Sequence, residues 1–223
     1  MARKENISAS VIKRLPRYYR FLGELKSQGV ERISSKSLAE KMRTTASQVR
    51  QDFNCFGGFG QQGFGYNVEQ LYNEIKQILG LDMKYKAILI GVGNLGRAVA
   101  AHMSFEERGF ELIGIFDQNP DLFGQVIRNI EVQSTDNIED FCDKNKPKVA
   151  ILCIPRSAVG ELSKRLYNVG IRCYWNFSHY DLSVDYDDVV VQNVHMSDSL
   201  MILCYKIADN ELSSSQTELS ETK

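Results

Sequence analysis

Apolar residues recur at helical spacing over the first eighty residues of the chain. A first amphipathic helix follows Ser10, a candidate N-cap, and ends at Gly29, with basic residues along its polar side. Serine and threonine pairs of the kind that cap helices then precede two shorter apolar patterns, which reach Met42 and Phe56. The order helix, short helix, tight turn and helix predicts a helix-turn-helix.

The third of these helices has one apolar face and one polar face. Val49, Phe53 and Phe56 share a face at spacings i, i+4 and i+7, so the polar side chains project away from the core. Amide and guanidinium groups in such positions can read base edges, since glutamine suits adenine and arginine suits guanine or phosphate. The residues on this helix predicted to contact DNA are Ser47, Gln48, Arg50, Gln51 and Asn54.

A glycine-rich and aromatic segment follows the third helix. The stretch from Phe56 to Tyr66 contains five glycines and four aromatic residues, which is too much glycine for a helix or a central strand. It predicts a β-hairpin wing with Gln61 and Gln62 at the tip, from where they could reach the minor groove. A flexible hairpin that only packs its aromatic residues on the domain is the alternative.

Apolar strands that alternate with helices characterise the rest of the chain. Residues 86–90 form such a strand and lead, through Gly91-x-Gly93-x-x-Gly96, directly into a helix. Gly91 permits the tight turn, Gly93 leaves room for a pyrophosphate, and Gly96 lets the helix pack on the strand. The predicted dinucleotide loop comprises Gly91, Val92, Gly93, Asn94, Leu95 and Gly96.

A second strand, residues 111–117, ends in Asp117, 21 positions after Gly96. A carboxylate there can accept hydrogen bonds from both ribose hydroxyls, and no arginine follows it immediately to hold a 2′-phosphate. Asp117 therefore favours NAD(H) over NADP(H). An aspartate that serves only a turn at the strand end is the alternative.

Two further strands, residues 149–154 and 171–175, enclose a helix at 158–169 and continue the βαβ alternation of an α/β fold. Ligands of open α/β sheets bind beyond the carboxyl ends of the strands. The residues predicted at these strand ends, on the nicotinamide side of the site, are Ile154, Pro155, Asn176 and Phe177.

The sequence thus predicts an α/β protein in which a winged helix-turn-helix domain precedes a Rossmann domain and a C-terminal helix. That last helix is expected from Met196 to Ile207, and the Ser-, Glu- and Thr-rich residues after it are expected to be disordered. The predicted boundaries are 1–82 for the winged-helix domain, 83–195 for the Rossmann domain, 196–209 for the helix and 210–223 for the tail.

The two predicted domains differ in net charge, although the net charge of the whole chain is −1. Residues 1–82 contain 13 Lys and Arg against 8 Asp and Glu, or +5, whereas residues 83–223 contain 14 against 20, or −6. A basic first half is typical of a domain with a polyanionic partner, and ordinary charge scatter is the alternative. Five widely spaced cysteines without a metal-ligand pattern, and no apolar run that could cross a membrane, favour a soluble cytoplasmic protein.

These motifs, taken in this order, resemble the Rex family of redox-sensing transcriptional repressors. The resemblance extends over residues 7–207, and its densest matches are Arg14-Leu-Pro, Ser34-Ser35, Gln48-Val-Arg-Gln-Asp52, the glycine-aromatic segment through Tyr66, Gly91-Val-Gly-Asn-Leu-Gly-Arg97, Phe116-Asp117 and Asn176-Phe177. It implies a homodimer that exchanges its C-terminal helices. The dimer would bind double-stranded DNA at an inverted-repeat operator and leave it when NADH binds.

Two departures from the family pattern concern DNA binding. Gln51 stands where the family usually has a lysine on the recognition helix, and Gln62 where its wing usually has an arginine. Fewer cations on the protein release fewer counterions from DNA, so we expect a smaller dependence of operator binding on salt. We also expect either weaker binding or a shifted operator preference.

Other departures concern the switch between cofactor and DNA. The family couples an arginine, a tyrosine and an aspartate; Arg20 matches the arginine, whereas His102 and His195 occupy the other two places. His195 removes an anionic partner of Arg20 and repels it when protonated, which predicts a pH-sensitive response. Ser178 and His179 also replace the usual Ala-Pro beside the predicted nicotinamide contacts.

Two other functions remain open from the sequence. A small NAD-dependent dehydrogenase could carry the same glycine fingerprint, although only one helix and a tail follow the Rossmann strands, which leaves no substrate domain. A Rex-like paralogue could keep the nucleotide and dimer sites but lose operator binding, because the cations at Gln51 and Gln62 are missing.

Overall fold

The computed structural model describes residues 7–57, 60–61 and 64–221 of the chain. Contacts between Cα atoms divide the chain into two units. One comprises Met1–Lys84 with Glu107–Gly109, and the other comprises Tyr85–Glu106 with Phe110–Lys223. The division falls two residues after the predicted boundary at residue 82.

The first unit has the element order of a winged helix-turn-helix. Its elements are α1 Ala9–Ser27, β1 Arg32–Ile33, α2 Ser35–Met42, α3 Ala46–Asn54, β2 Gly60–Gln61, β3 Gly65–Asn67 and α4 Val68–Ile78. The described strands pair antiparallel in the order β1-β3-β2. A hairpin therefore follows the second helix of the helix-turn-helix.

The helix caps explain where these helices begin. The hydroxyl of Ser34 accepts the Ser37 N–H, and that of Thr45 accepts the Gln48 N–H, which confirms the predicted starts of α2 and α3. The predicted start of α1 was wrong by two residues, because its N-cap is Ser8 and not Ser10. Ser8 is extended and accepts the Val11 N–H, whereas Ser10 already lies inside the helix.

A buried carboxylate ties α1 to α3 in the core of the first unit. Asp52 accepts two hydrogen bonds from the Arg14 guanidinium, at 2.7 and 2.8 Å. It also accepts one from the Tyr18 hydroxyl at 2.9 Å and one from the Gln48 amide at 2.8 Å. Burial by itself acts to raise the pKa of Asp52, but these hydrogen bonds outweigh it and lower the pKa.

The second unit is a doubly wound α/β domain. Its helices and strands are β4 Tyr85–Ile90, α5 Asn94–His102, β5 Phe110–Asp117, β6 Val126–Ile127, β7 Ile130–Ser134, α6 Ile138–Asn145, β8 Val149–Leu152, α7 Arg156–Asn168, β9 Cys173–Asn176, β10 Val190–Asn193 and α8 Met196–Glu221. The sheet order is β10-β9-β8-β4-β5-β7-β6, parallel throughout except for β6. The strand order reverses between β4 and β8, so a ligand crevice is expected at the carboxyl ends of these two strands.

The last helix, α8, is longer than the sequence indicated. It runs to Glu221, so residues 210–221 of the predicted disordered tail are helical. No glycine or proline follows Asp209 to stop the helix, and the Ser- and Glu-rich composition alone did not mark its end. Within residues 7–57, 60–61 and 64–221, no helix is both long enough and apolar enough to span a membrane.

The buried pair predicts a specific loss of stability. Asp52→Asn leaves the partly exposed Arg14 guanidinium without its counterion, and we expect the free energy of unfolding in urea at pH 7 to fall by about 1–3 kcal/mol. Because folding lowers the pKa of Asp52, its contribution is present above the unfolded pKa of about 3.9 and is lost as the pH falls through the lower folded value. The difference between wild type and variant should therefore shrink in acid.

The control for this prediction is Glu69→Gln, which breaks the solvent-exposed pair of Glu69 with Lys26 in the same unit. Exposed ion pairs contribute little to stability, so this variant should unfold like the wild type. Equal losses in both variants would contradict a special role for the buried pair.

Candidate functional site

The polar face of α3 is open to solvent, with one exception. Its exposed polar residues are Ser47, Arg50, Gln51 and Asn54. The Arg50 guanidinium donates to the Ser35 hydroxyl at 3.2 Å, which holds it beside the start of α2. Gln48 differs from the other predicted contacts, because its amide nitrogen donates to the buried Asp52. That donor is committed to the core of the domain.

The wing pairs with the rest of its domain through β3, which lies between β1 and β2. Gly65 in β3 has φ +69°, and a Cβ atom there would lie 2.6 Å from the carbonyl oxygen of Ile33. Only glycine accepts both this backbone conformation and this close approach. Gln61 lies in β2, whereas Gln62 lies outside the described residues.

The glycine loop between β4 and α5 is packed tightly on one side and open on the other. A Cβ atom on Gly91, which has φ +95°, would lie 2.5 Å from the carbonyl oxygen of Cys153, and one on Gly96 would lie 1.7 Å from that of Gly91. A Cβ atom on Gly93 would meet no atom within 4 Å. Since Gly93 is the N-cap of α5 and has no side chain, the first N–H groups of α5 have no side-chain cap.

Asp117 ends β5 beside this loop. Its Oδ2 accepts the Val92 N–H at 2.6 Å, and its Oδ1 accepts the Asn119 N–H at 2.8 Å. An ionised carboxylate offers about four acceptor positions, so each oxygen can take a further hydrogen bond. The carboxylate therefore fixes the loop and still lines the adjoining cleft as an acceptor. Val92 takes part through its backbone, while its side chain is buried.

A cleft of about 690 Å³ opens at the carboxyl ends of β4, β5, β7 and β8. Predicted site residues that line it are Gly91, Gly93, Asn94, Leu95, Asp117, Ile154 and Pro155. Helix α7 adds one stripe at spacings i, i+3, i+4 and i+7, which consists of Ala158, Glu161, Leu162 and Arg165. The volume lies within the range of about 300–1,000 Å³ that is usual for small-molecule sites.

Arg165 is a cleft residue that sequence reasoning missed. Its guanidinium forms a bidentate salt bridge with Glu139, with an Nη2–Oε2 distance of 2.6 Å, and donates to the Thr135 carbonyl at 2.8 Å. The hydrogen bonds from Arg165 lower the pKa of Glu139. Arg165 lies about 10 Å along the helix axis from Ala158, so the cleft extends well beyond the glycine loop.

The two predicted residues at the end of β9 are not among the residues that line this cleft. Asn176 is buried, and its amide nitrogen donates to the Tyr180 carbonyl at 2.6 Å and to the Asn193 side chain at 2.8 Å. Its carbonyl oxygen accepts the Ser178 hydroxyl at 2.6 Å. The side chain of Asn176 therefore holds the loop after β9 against β10, and Phe177 follows it on that loop.

The predicted switch residues lie in different parts of the chain. Arg20 is exposed on α1 in the first unit, and His102 is exposed at the end of α5 in the second. His195 directly precedes α8, with its Nδ1 at 3.0 Å from Nδ1 of His179. Sequence reasoning treated these two histidines as separate departures, because no local pattern links positions 16 residues apart.

Two family profiles match the chain, one in each domain. A profile described as "Putative DNA-binding protein N-terminus" matches residues 6–54. A profile described as "CoA binding domain" matches residues 82–180. The first match covers α1, α2 and α3, and the second covers the sheet from β4 to β9.

Curated relatives named "Redox-sensing transcriptional repressor Rex" cover nearly the whole chain. One from Thermoanaerobacter pseudethanolicus is 54% identical over 212 residues, which is 95% of this chain and 94% of the relative. One from Clostridium perfringens is 49% identical over 212 residues, or 95% of this chain and 100% of the relative.

Solved structures are equally similar. One is described as RSP in complex with beta-NAD+ and operator DNA; it has a TM-score of 0.85 and 53% identity, and the match covers 96% of this chain and 98% of the other. Another, RSP in complex with beta-NADH, has a TM-score of 0.85 and 51% identity, over 95% of this chain and 99% of the other. This chain belongs to the Rex family of redox-sensing transcriptional repressors.

Proposed function

We propose that this protein is a homodimeric repressor that binds an inverted-repeat operator through its winged-helix domain and leaves it when NADH enters the cleft. The observation that carries the proposal is the open space at Gly93, in front of the uncapped start of α5 and beside Asp117. The complexes of RSP with NAD+, NADH and operator DNA support it. Operators are chromosomal DNA, so the compartment we propose is the cytoplasm.

The cleft favours one direction for a bound dinucleotide. The pyrophosphate would lie opposite Gly93 and accept N–H groups of the first turn of α5. Asp117 would accept the hydroxyls of the adenosine ribose, and the nearby carboxylates of Asp136 and Glu161 would repel a 2′-phosphate. The adenine then extends toward Arg165, whose planar guanidinium is able to stack on a base.

The lining of the cleft gives little support to a dehydrogenase. Among the described residues that line it, no histidine, lysine or tyrosine offers a proton to a carbonyl substrate. The thiol among those described lining residues is that of Cys153, whose pKa burial raises to about 12, so it stays protonated near neutral pH. Together with relatives that are named repressors, this favours a sensor rather than an enzyme.

The unpartnered surface of α8 supports the dimer. Met196, Leu200, Leu203 and Ile207 follow one stripe at spacings i, i+4, i+7 and i+11, and each is at least half exposed. Among the described residues, none of these four belongs to a hydrophobic core or to the partly buried side chains packed against one. Met201, Ile202 and Tyr205 are exposed as well, so the helix is apolar on more than one side and needs a partner to cover it.

Nucleotide binding is tested by Gly93→Val. The backbone at Gly93 suits any residue, with φ −67°, and a Cβ atom there meets nothing, so the domain should fold. The added side chain would occupy the space of the pyrophosphate. We expect the affinity for NADH, measured by calorimetry, to fall at least tenfold, or about 1.4 kcal/mol. In a gel shift with the operator duplex of RSP, NADH should no longer release the variant.

The matched control is Gly160→Ala in α7. Gly160 does not line the cleft, and a Cβ atom there would meet only the Tyr180 hydroxyl, at 3.8 Å. This variant should bind NADH and respond to it like the wild type. If Gly93→Val bound NADH normally, the proposed pyrophosphate position would be wrong. If the wild type bound the RSP operator no more tightly than a scrambled duplex, the alternative of a paralogue without operator binding would be favoured.

Recognition is tested by Gln51→Lys. A lysine on the exposed face of α3 adds one cation per subunit, so each dimer should release about two more counterions and bind the operator with a salt slope steeper by about 1.8. Gln77→Lys places the same charge on an exposed position of α4 and should leave the slope unchanged. Equal slopes for the two lysine variants would argue that α3 does not face the DNA.

Assembly is tested by the double substitution Leu200→Glu and Leu203→Glu on α8. Two carboxylates in the apolar stripe would be buried without partners in a dimer. We expect the mass measured by light scattering to fall to that of a monomer, with loss of operator binding. Lys206→Glu is the control in the same helix and should remain dimeric. A double variant that stayed dimeric would show that another surface holds the subunits together.

A further inference from the structure

Two histidines meet at the point where the chain enters α8. Nδ1 of His179 and Nδ1 of His195 are 3.0 Å apart, and the rings pack edge to face with centroids 4.7 Å apart. His179 lies on the loop after β9, and His195 follows β10 and directly precedes α8. The contact therefore joins the carboxyl end of the sheet to the start of the last helix.

The backbone around this pair is held in an uncommon conformation. His179 has φ +58°, in the left-handed region that costs a residue other than glycine about 1 kcal/mol or more. The Asn176 amide bonds to Asn193 and to the Tyr180 carbonyl on either side of the pair, and the Asp198 N–H donates to the His195 carbonyl. These bonds bring the two rings together.

The distance indicates a hydrogen bond rather than a shared metal ion. A separation of 3.0 Å is usual for a nitrogen donor and a nitrogen acceptor, whereas two nitrogens on a tetrahedral metal at about 2.0–2.1 Å lie about 3.3 Å apart. Among the described residues, no group of three or more His, Cys, Asp or Glu side chains could hold a metal ion. One ring must therefore donate from Nδ1 while the other accepts at Nδ1.

This requirement makes the contact depend on protonation. Two neutral rings can form the bond as complementary tautomers, and a single imidazolium strengthens it. When both rings are imidazolium ions, both Nδ1 atoms carry a hydrogen and neither accepts. Histidine is the side chain whose ordinary change of charge falls between about pH 5 and 8.

Charged residues of both signs lie on the elements around the pair. The Ser183 hydroxyl lowers the pKa of Asp181, and His195 lowers it further, so a carboxylate faces the pair. Other charged residues on the elements around the pair are Asp185, which accepts from the Tyr180 hydroxyl, Asp198 in the first turn of α8, and Arg156 at the start of α7.

We propose that His179 and His195 form a proton-sensitive link that fixes the start of α8 to the loop after β9 and opens when both rings are protonated. While at least one ring is neutral, the link restrains the start of α8. When both rings are protonated, the two cations repel each other and the strained loop is free to relax. The link is inferred from contacts within a single chain and rests on neither DNA nor nucleotide binding. Its effect on assembly rests on the proposed role of α8 in the dimer.

Hydrogen exchange on the full chain tests the link. We expect amide protection of residues 193–198, corrected for intrinsic exchange rates, to fall about tenfold between pH 8 and pH 5.5. His179→Asn keeps a donor and an acceptor near the Nδ1 position, tolerates the positive φ and does not titrate, so its protection should be the same at both pH values. His195→Phe keeps a ring without nitrogens and should be poorly protected at both.

Three results would overturn the proposal. One is a wild-type pH dependence in His179→Asn, and another is full protection in His195→Phe. The third is protection that EDTA abolishes and Zn²⁺ restores at pH 8, since a metal ion would then hold the rings. A protein that shows the expected exchange pattern but binds no operator at pH 8 would refute the proposed function and leave the link intact.

Discussion

The backbone of the glycine loop approaches the backbone after β8 so closely that no side chain fits between them. A Cβ atom on Gly91 would lie 2.5 Å from the Cys153 carbonyl oxygen, and one on Gly96 would overlap the Gly91 carbonyl. This packing directs the N-terminus of α5 into the crevice between β4 and β8. The bond from the Val92 N–H to Asp117 then fixes the loop against β5. The pyrophosphate end of the cleft depends on this contact.

The same side chains that look functional in the sequence divide, in the structure, into exposed groups and groups that hold the fold. Gln48 was predicted to read DNA, yet its amide donates to the buried Asp52 beside Arg14. Asn176 was predicted to contact nicotinamide, yet its amide is used by the loop after β9. In both cases the amide group pairs with polar groups inside the domain, because an unpaired buried donor or acceptor costs about 1–3 kcal/mol. Such residues position functional neighbours.

What the sequence predicts well is whatever a few neighbouring residues determine. The caps at Ser34 and Thr45 depend on one hydroxyl and an N–H three residues later, and the turn at Gly91 depends on a positive φ. Those requirements leave a local signature. The strands β6, β7 and β10 were not predicted, since they are short and their limits are set by pairing with other strands. The eight-residue helix α6 was not predicted either.

The salt bridge of Arg165 with Glu139 and the contact of His179 with His195 were missed for the same reason. The residues of each pair come from different elements, 26 and 16 positions apart in the sequence. Neither residue alone predicts a contact with the other. The glycine fingerprint could therefore predict the pyrophosphate end of the cleft but not the wall formed by α7. The chemistry of the adenine end depends on how two helices pack.

The histidine contact also changes how the departures from the family pattern are understood. Taken alone, a histidine at position 195 replaces an anion with a group that is neutral or positive, which weakens any contact to a cation. Paired with His179, the same ring has a partner whose capacity to accept depends on pH. Neither histidine forms that bond by itself, because a donor at one position needs an acceptor at the other. The two histidines are best understood as one change, and its effect falls on the start of α8, where the exposed apolar stripe begins.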